Sequence, residues 1–118
     1  MKKKVLVCDD EESIRLLLRE TFKENYDVIE AVDGREALRL SNSEAFDLII
    51  IDIKMPGTHG IEVIEQIRQN NKNVPIIICS AYRLMEDDNV LKSADVAAFV
   101  TKPLNINALK KKVSELIG

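Results

Sequence analysis

No stretch of the chain approaches the roughly 18 consecutive apolar residues of a membrane-spanning helix. No apolar segment of signal-peptide type follows the opening Met-Lys-Lys-Lys. A membrane protein is therefore not expected, and a cytoplasmic one is. Histidine is almost missing, with His59 alone. The two cysteines, Cys8 and Cys79, have no metal-ligand spacing, which removes sites built on thiolate or imidazole. Tryptophan is absent, and no aromatic residue is interleaved with the basic clusters Lys2-Lys3-Lys4 and Lys110-Lys111-Lys112. With a formal net charge of −3, nucleic acid is not an expected partner. The clusters read as a solvated amino-terminal arm and the polar face of a last helix, whose carboxyl end favours cations.

What is present is a pattern repeated five times along 118 residues, a length that suits one domain. Apolar residues make up 46% and charged residues 31%, as in an ordinary globular chain. Each repeat is a short apolar run followed by an amphipathic stretch. The runs are Lys4 to Cys8, Asp27 to Glu30, Leu48 to Asp52, Pro75 to Cys79 and Ala97 to Val100. The helical stretches open at Glu12-Ser13, with Ile14, Leu17, Leu18 and Phe22 inward, and at Arg35, ending near Leu40 after the turn Asp33-Gly34. The others open at Gly60, with Ile61, Ile64 and Ile67 inward, at Met85, ending at Ser93, and after a capping Asn105. The last buries Ile106, Leu109, Val113, Leu116 and Ile117. The fourth, with Asp87, Asp88 and Asn89 inside it, has the poorest helix propensity. Strands alternating with helices at this spacing mean an α/β fold with a doubly wound parallel sheet and right-handed crossovers. No output domain is expected beside the one domain of residues 1–118.

The continuous apolar strand Leu48-Ile49-Ile50-Ile51 leads straight into Asp52, with the turn chemistry of Met55-Pro56-Gly57 behind it. On that stretch alone, an Asp that caps the turn is an equal reading. Other polar residues end their own strands in the same way: Asp9-Asp10 the first, Ser80 the fourth, Thr101-Lys102-Pro103 the fifth. In a parallel sheet these ends share one edge, where open α/β sheets hold their ligands. Three carboxylates there repel one another, and a divalent cation relieves the repulsion most simply. Oxygen-only ligands point to Mg²⁺, with Mn²⁺ as the substitute. Lys102 supplies a point charge and Ser80 a hydroxyl donor for phosphate oxygens, and a carboxylate so flanked can attack phosphorus.

The pieces Val7-Cys8-Asp9-Asp10-Glu11, Asp52 with Met55-Pro56 and Gly60, Ser80-Ala81 and Thr101-Lys102-Pro103 stand in order over essentially the whole chain. In these the sequence resembles the response-regulator receiver domains of two-component signalling. The resemblance implies a flavodoxin-like receiver fold: a five-stranded sheet in order 2-1-3-4-5 with five helices, two on one face and three on the other. It implies Asp52 as phosphoacceptor, fed by a sensor histidine kinase or a histidine phosphotransfer protein. Asp10, Asp52 and the backbone carbonyl of Lys54 are implied as Mg²⁺ ligands, with Asp9 acting through water. Ser80 and Phe99 are implied as switch residues and Lys102 as the phosphate-pairing lysine, with the Lys102-Pro103 bond cis. Lys54 and Tyr82, two residues after Asp52 and Ser80, are expected to flank the phosphate and set how long it lasts. The implied protein is a monomer signalling through contact with an unidentified downstream protein. It is no turnover enzyme, but a phosphoacceptor that assists its own phosphoryl transfer and dephosphorylation.

Two departures from the family stand out. His59 occupies a position where receivers often have Asp. Asp95-Val96 replaces a frequent Gly-Ala, so that a left-handed turn falls on Asp95. Three other readings compete with this one. A phosphatase of the haloacid-dehalogenase type needs a second Asp two residues after the nucleophile, where Lys54 stands. A flavodoxin-like cofactor module needs hydroxyls and glycines after the first strand, where Asp9-Asp10-Glu11-Glu12 repels phosphate. The third, a receiver-fold interaction module without phosphorylation, is at odds with the complete acidic set. Cys8 and Cys79 end strands about 9–10 Å apart, too far for a disulfide.

Overall fold

A computed structural model of the chain describes residues 2–52, 54, 55, 58–80 and 95–118, with the side chains of 54, 55 and 58–60 left aside. Five strands, β1 (Lys3–Cys8), β2 (Tyr26–Ala31), β3 (Leu48–Ile51), β4 (Ile76–Ser80) and β5 (Ala98–Thr101), form one sheet. Its order is β2-β1-β3-β4-β5 and every pairing is parallel. Four helices are described: α1 (Glu12–Phe22), α2 (Gly34–Ser43), α3 (Gly60–Asn70) and α4 (Ile106–Ile117). The sequence-predicted helix from Met85 to Ser93 lies outside the described residues. No described helix is long and apolar enough to cross a membrane.

Side-chain alternation along the strands builds two cores. Leu6 and Cys8 of β1, Ile49 and Ile51 of β3, and Ile76 and Ile78 of β4 face Ala37 of α2 and Val63, Ile64 and Ile67 of α3. Their neighbours Val5, Val7, Leu48, Ile50, Ile77 and Cys79 face Leu18 and Phe22 of α1 and Leu109, Val113 and Ile117 of α4. Both faces of the central strands are covered, which is why these strands are apolar throughout. Phe22 packs edge-on to Tyr26, with ring centroids 5.9 Å apart.

Several elements differ from the sequence reading. In α1, Leu17 is exposed: the inward stripe is Ile14, Leu18 and Phe22 at four-residue spacing, and Leu17 lies a third of a turn off it. Asp33 is no mere turn residue; it caps α2, its Oδ1 accepting from the Glu36 N–H at 2.9 Å. That helix runs to Ser43 rather than ending near Leu40. The hydroxyls of Ser41 and Ser43 donate to the carbonyls of Leu38 and Leu40, so polar side chains close the last turn. A two-stranded antiparallel ribbon, Lys54–Met55 with Thr58–His59, follows β3. The Asn105 cap is as expected, accepting from the Ala108 N–H at 3.0 Å.

Asp95 has φ 54°, the left-handed turn foreseen from the sequence, and the guanidinium of Arg68 donates to its carbonyl at 3.1 Å. An exposed non-glycine residue held there is strained. Asp95→Gly keeps the main-chain contact and removes the strain, so stability is expected to rise by about 0.5–1 kcal/mol. Urea denaturation measures it, and a lower midpoint at unchanged slope would refute the strain.

Candidate functional site

The carboxyl ends of β1, β3, β4 and β5 meet at one edge of the sheet. Cys8 pairs with Ile51, so Asp9 and Asp52 are the next residue on adjacent strands. The Asp9 N–H donates to Ala31 and the Asp52 N–H to Cys8, which continues the ladders one step past the strands. Ser80 pairs with Thr101, and the Lys102 N–H donates to the Ser80 carbonyl at 2.8 Å. The peptide bond from Lys102 to Pro103 is cis. Asp9, Asp52 and Ser80 are the buried polar residues among those described.

The Lys102 ammonium joins them. Its Nζ donates to Asp9 Oδ2 at 2.8 Å, to Asp52 Oδ2 at 3.2 Å and to Glu11 Oε1 at 3.2 Å. Burial opposes the lysine charge, but the hydrogen bonds and charges of Asp9 and Asp52 outweigh it and raise the Lys102 pKa above the ordinary lysine range. Asp9 is no helix cap. Its Oδ1 accepts from the Glu11 N–H at 2.9 Å, and its carbonyl accepts from Arg15 at 2.7 Å. Oxygens of Asp9, Asp10, Glu11 and Asp52 lie within 4.8 Å of one another. Four carboxylates around one ammonium leave excess negative charge, and the donors are oxygen alone, which fits a hard divalent cation. A cavity of about 330 Å³ between the carboxyl ends of α2 and α3, floored by Phe46, Ile49, Ile67 and Val74, lies apart from this edge.

A sequence-family comparison matches residues 5–114 to the response regulator receiver domain. The chain belongs to that family. This receiver domain is 34% identical over 120 residues to sporulation initiation phosphotransferase F of Bacillus subtilis (strain 168), covering 99% of the chain and 95% of that protein. It is 40% identical to the alkaline phosphatase synthesis transcriptional regulatory protein PhoP of the same strain, but spans only 49% of that protein. Among solved structures it resembles the chemotaxis response regulator CheY4 of Vibrio cholerae, at 32% identity and a TM-score of 0.88 over 98% of this chain and 99% of that one. It also resembles the response regulator TrrA of Thermotoga maritima, solved in complex with Mg²⁺-BeF. There the identity is 41% and the TM-score 0.87, over 97% of this receiver domain and 98% of TrrA.

Within the receiver domain, Asp9, Asp10, Asp52, Ser80 and Lys102 share the edge that their sequence positions implied. Phe99 pairs with Ile78 and is half-buried against the core on the α2–α3 side of the sheet. Lys54 is the first residue of the ribbon after β3. Tyr82 lies outside the described residues, as does the side chain of Lys54. Glu11, which the sequence reading treated only as part of a motif, joins the site. The signal for it was present: a glutamate stands at the N-cap position of α1, where short oxygen-bearing side chains are favoured.

Cys8 and Cys79 are buried on opposite faces of the sheet and form no disulfide. Burial pushes both thiols up to about 12. At pH 8 their thiolate fraction is about one in ten thousand. Neither is expected to react with iodoacetamide in the native protein, while both react in denaturant. Mass spectrometry of the alkylated chain decides it, and native labelling of either would contradict its burial.

Proposed function

We propose that this receiver domain accepts a phosphoryl group on Asp52 and signals through phosphorylation-dependent contact with another protein. The observation that carries the reading is the Lys102 ammonium shared between Asp9 and Asp52 at the sheet edge. The proposed donor is a phosphohistidine on a sensor histidine kinase or a histidine phosphotransfer protein. Likeness to a phosphotransferase over nearly its full length supports this choice.

An Asp52 oxygen forms the new bond to phosphorus while the bond from phosphorus to the donor nitrogen breaks. The electron pair stays with the imidazole, which takes a proton. In hydrolysis, water attacks phosphorus, the bond to the Asp52 oxygen breaks and the carboxylate returns with inorganic phosphate. The chain is thus a phosphoacceptor assisting its own modification and its reversal, rather than a turnover enzyme. Lys102 is suited to pair with a phosphoryl oxygen and Ser80 to donate a hydrogen bond to another. Phe99, on the strand that leads into Lys102, is the proposed relay to the surface.

Asp10, Asp52 and the Lys54 carbonyl would hold Mg²⁺, with Asp9 acting through water. The complex of TrrA with Mg²⁺-BeF supports the choice of metal. When bound, the metal supplies neutralising charge for the phosphoryl oxygens. The test is incubation with acetyl phosphate with and without Mg²⁺, followed by intact mass. A lasting single phosphoryl adduct that requires Mg²⁺ is expected. No adduct would return the domain to the reading of an interaction module without phosphorylation.

A further inference from the structure

We propose that Glu11 is a positioning residue for Lys102, holding its ammonium over the loop after β1 so that Glu11 sets how readily Asp52 is modified. The inference rests on the phosphoacceptor reading and assigns a role to a residue that reading does not use.

Two observations carry it. The first is contact. Glu11 Oε1 accepts from Lys102 Nζ at 3.2 Å, the same distance as Asp52 Oδ2. The second is what Glu11 does not do. It stands at the N-cap of α1 with extended backbone, φ −87° and ψ 116°, and makes no capping hydrogen bond with its side chain. Each other described helix whose N-cap is defined has an Asp or Asn there that accepts from the backbone N–H three residues on. The longer glutamate reaches away from the α1 amides and across to the end of β5. An N-cap residue that leaves the cap unmade and spans to the lysine is placed for the lysine rather than for the helix.

The chemistry follows from the charges. Before modification, Lys102 is divided among Asp9, Asp52 and Glu11. An incoming phosphoryl group needs that ammonium, and Asp9 keeps its hold from a buried position. Glu11 is the partner the lysine can leave most easily, because its side chain is 55% exposed against 2% for Asp9. Leaving still has a cost, and the Glu11 charge remains beside the anionic phosphoryl group. Glu11 therefore favours the unmodified state. Glu11→Gln keeps the shape, removes the charge and weakens the contact with Lys102 to that of a neutral acceptor.

The experiment compares wild type, Glu11→Gln and Glu11→Ser with Glu12→Gln, which removes an equal charge from the adjacent residue. The labelling rate of Asp52 by acetyl phosphate is measured at saturating Mg²⁺. The Lys102 ammonium is followed in ¹⁵N-lysine spectra without metal, and thermal unfolding is recorded. Glu11→Gln and Glu11→Ser are expected to label roughly two- to five-fold faster than wild type and Glu12→Gln, the scale of one half-exposed ion pair. Both should shift the Lys102 signal, which Glu12→Gln should leave in place. Glu11→Ser, a better cap, should unfold no lower than wild type, so faster labelling cannot be read as a loosened fold. Labelling no faster than in Glu12→Gln, or an unmoved Lys102 signal, overturns the proposal. If wild type takes up no phosphoryl group, the phosphoacceptor reading fails, and the Lys102 spectra still decide whether Glu11 holds the lysine.

Discussion

Asp52→Ala takes up no phosphoryl group from acetyl phosphate and Mg²⁺, to the detection limit of intact mass, and Asp10→Ala loses the Mg²⁺-dependent part of the labelling. The expectation is specific because three other carboxylates lie close by and could be modified instead. Asp9 is a poor nucleophile: its Oδ1 accepts from the Glu11 N–H and its Oδ2 from Lys102, so both oxygens are tied down. Asp10 and Glu11 are exposed, outside the buried floor that excludes water from Asp52. A phosphoryl group on Asp52→Ala equal to that on wild type would show that the acceptor is another residue and would sink the assignment.

Lys102→Ala is expected to destabilise the fold by about 3–5 kcal/mol at neutral pH, the cost of breaking a buried ion pair from one side. The side chains of Asp9 and Asp52 are only 2% and 6% exposed, and Lys102 is a shared cation between them. Its removal leaves two buried carboxylates facing each other. Glu11 adds little to this cost, since water already solvates it. Asp52→Asn introduced into Lys102→Ala should restore part of the lost stability, because one charge of the unpaired set is gone. Urea denaturation of both single variants and the double variant measures the coupling. Strictly additive costs, or a loss below about 1 kcal/mol for Lys102→Ala, would mean that the pair is too well solvated to carry stability.

Much of this site was legible before any coordinates because strand ends are legible. An unbroken run such as Leu48 to Ile51 has one direction and a clear stop, and the parallel sheet turns several such stops into a single edge. The left-handed Asp95 came from the resemblance: where receivers often have glycine, this chain has a residue that adopts the turn reluctantly. Helix ends were harder. The last turn of α2 is Ser41-Asn42-Ser43, polar residues that look like loop until their hydroxyls are seen to bond back to the helix carbonyls. Apolarity alone does not say which side of a helix Leu17 occupies, and the structure leaves it exposed. Glu11 is hard to single out by residue type, because an exposed glutamate is ordinary and its partner Lys102 lies 91 residues away in sequence.

The two central strands also carry a hazard. Leu48 to Ile51 and Ile76 to Cys79 are so uniform that sliding either by one residue would exchange one set of buried aliphatic side chains for another almost as good. Side-chain burial does little to tell the correct alignment from its neighbours. The polar residues at the run ends do. Asp47 is pinned by reciprocal bonds with the Lys4 backbone, and Pro75 brings a carbonyl but no N–H to β3. At the far ends, a slip in one direction would draw Asp52 or Ser80 between the helices. Asp52 is thus also a stop on a ruler that has few other marks. Replacing it with a large apolar residue would remove the phosphoacceptor and lengthen the run along which the sheet can misalign.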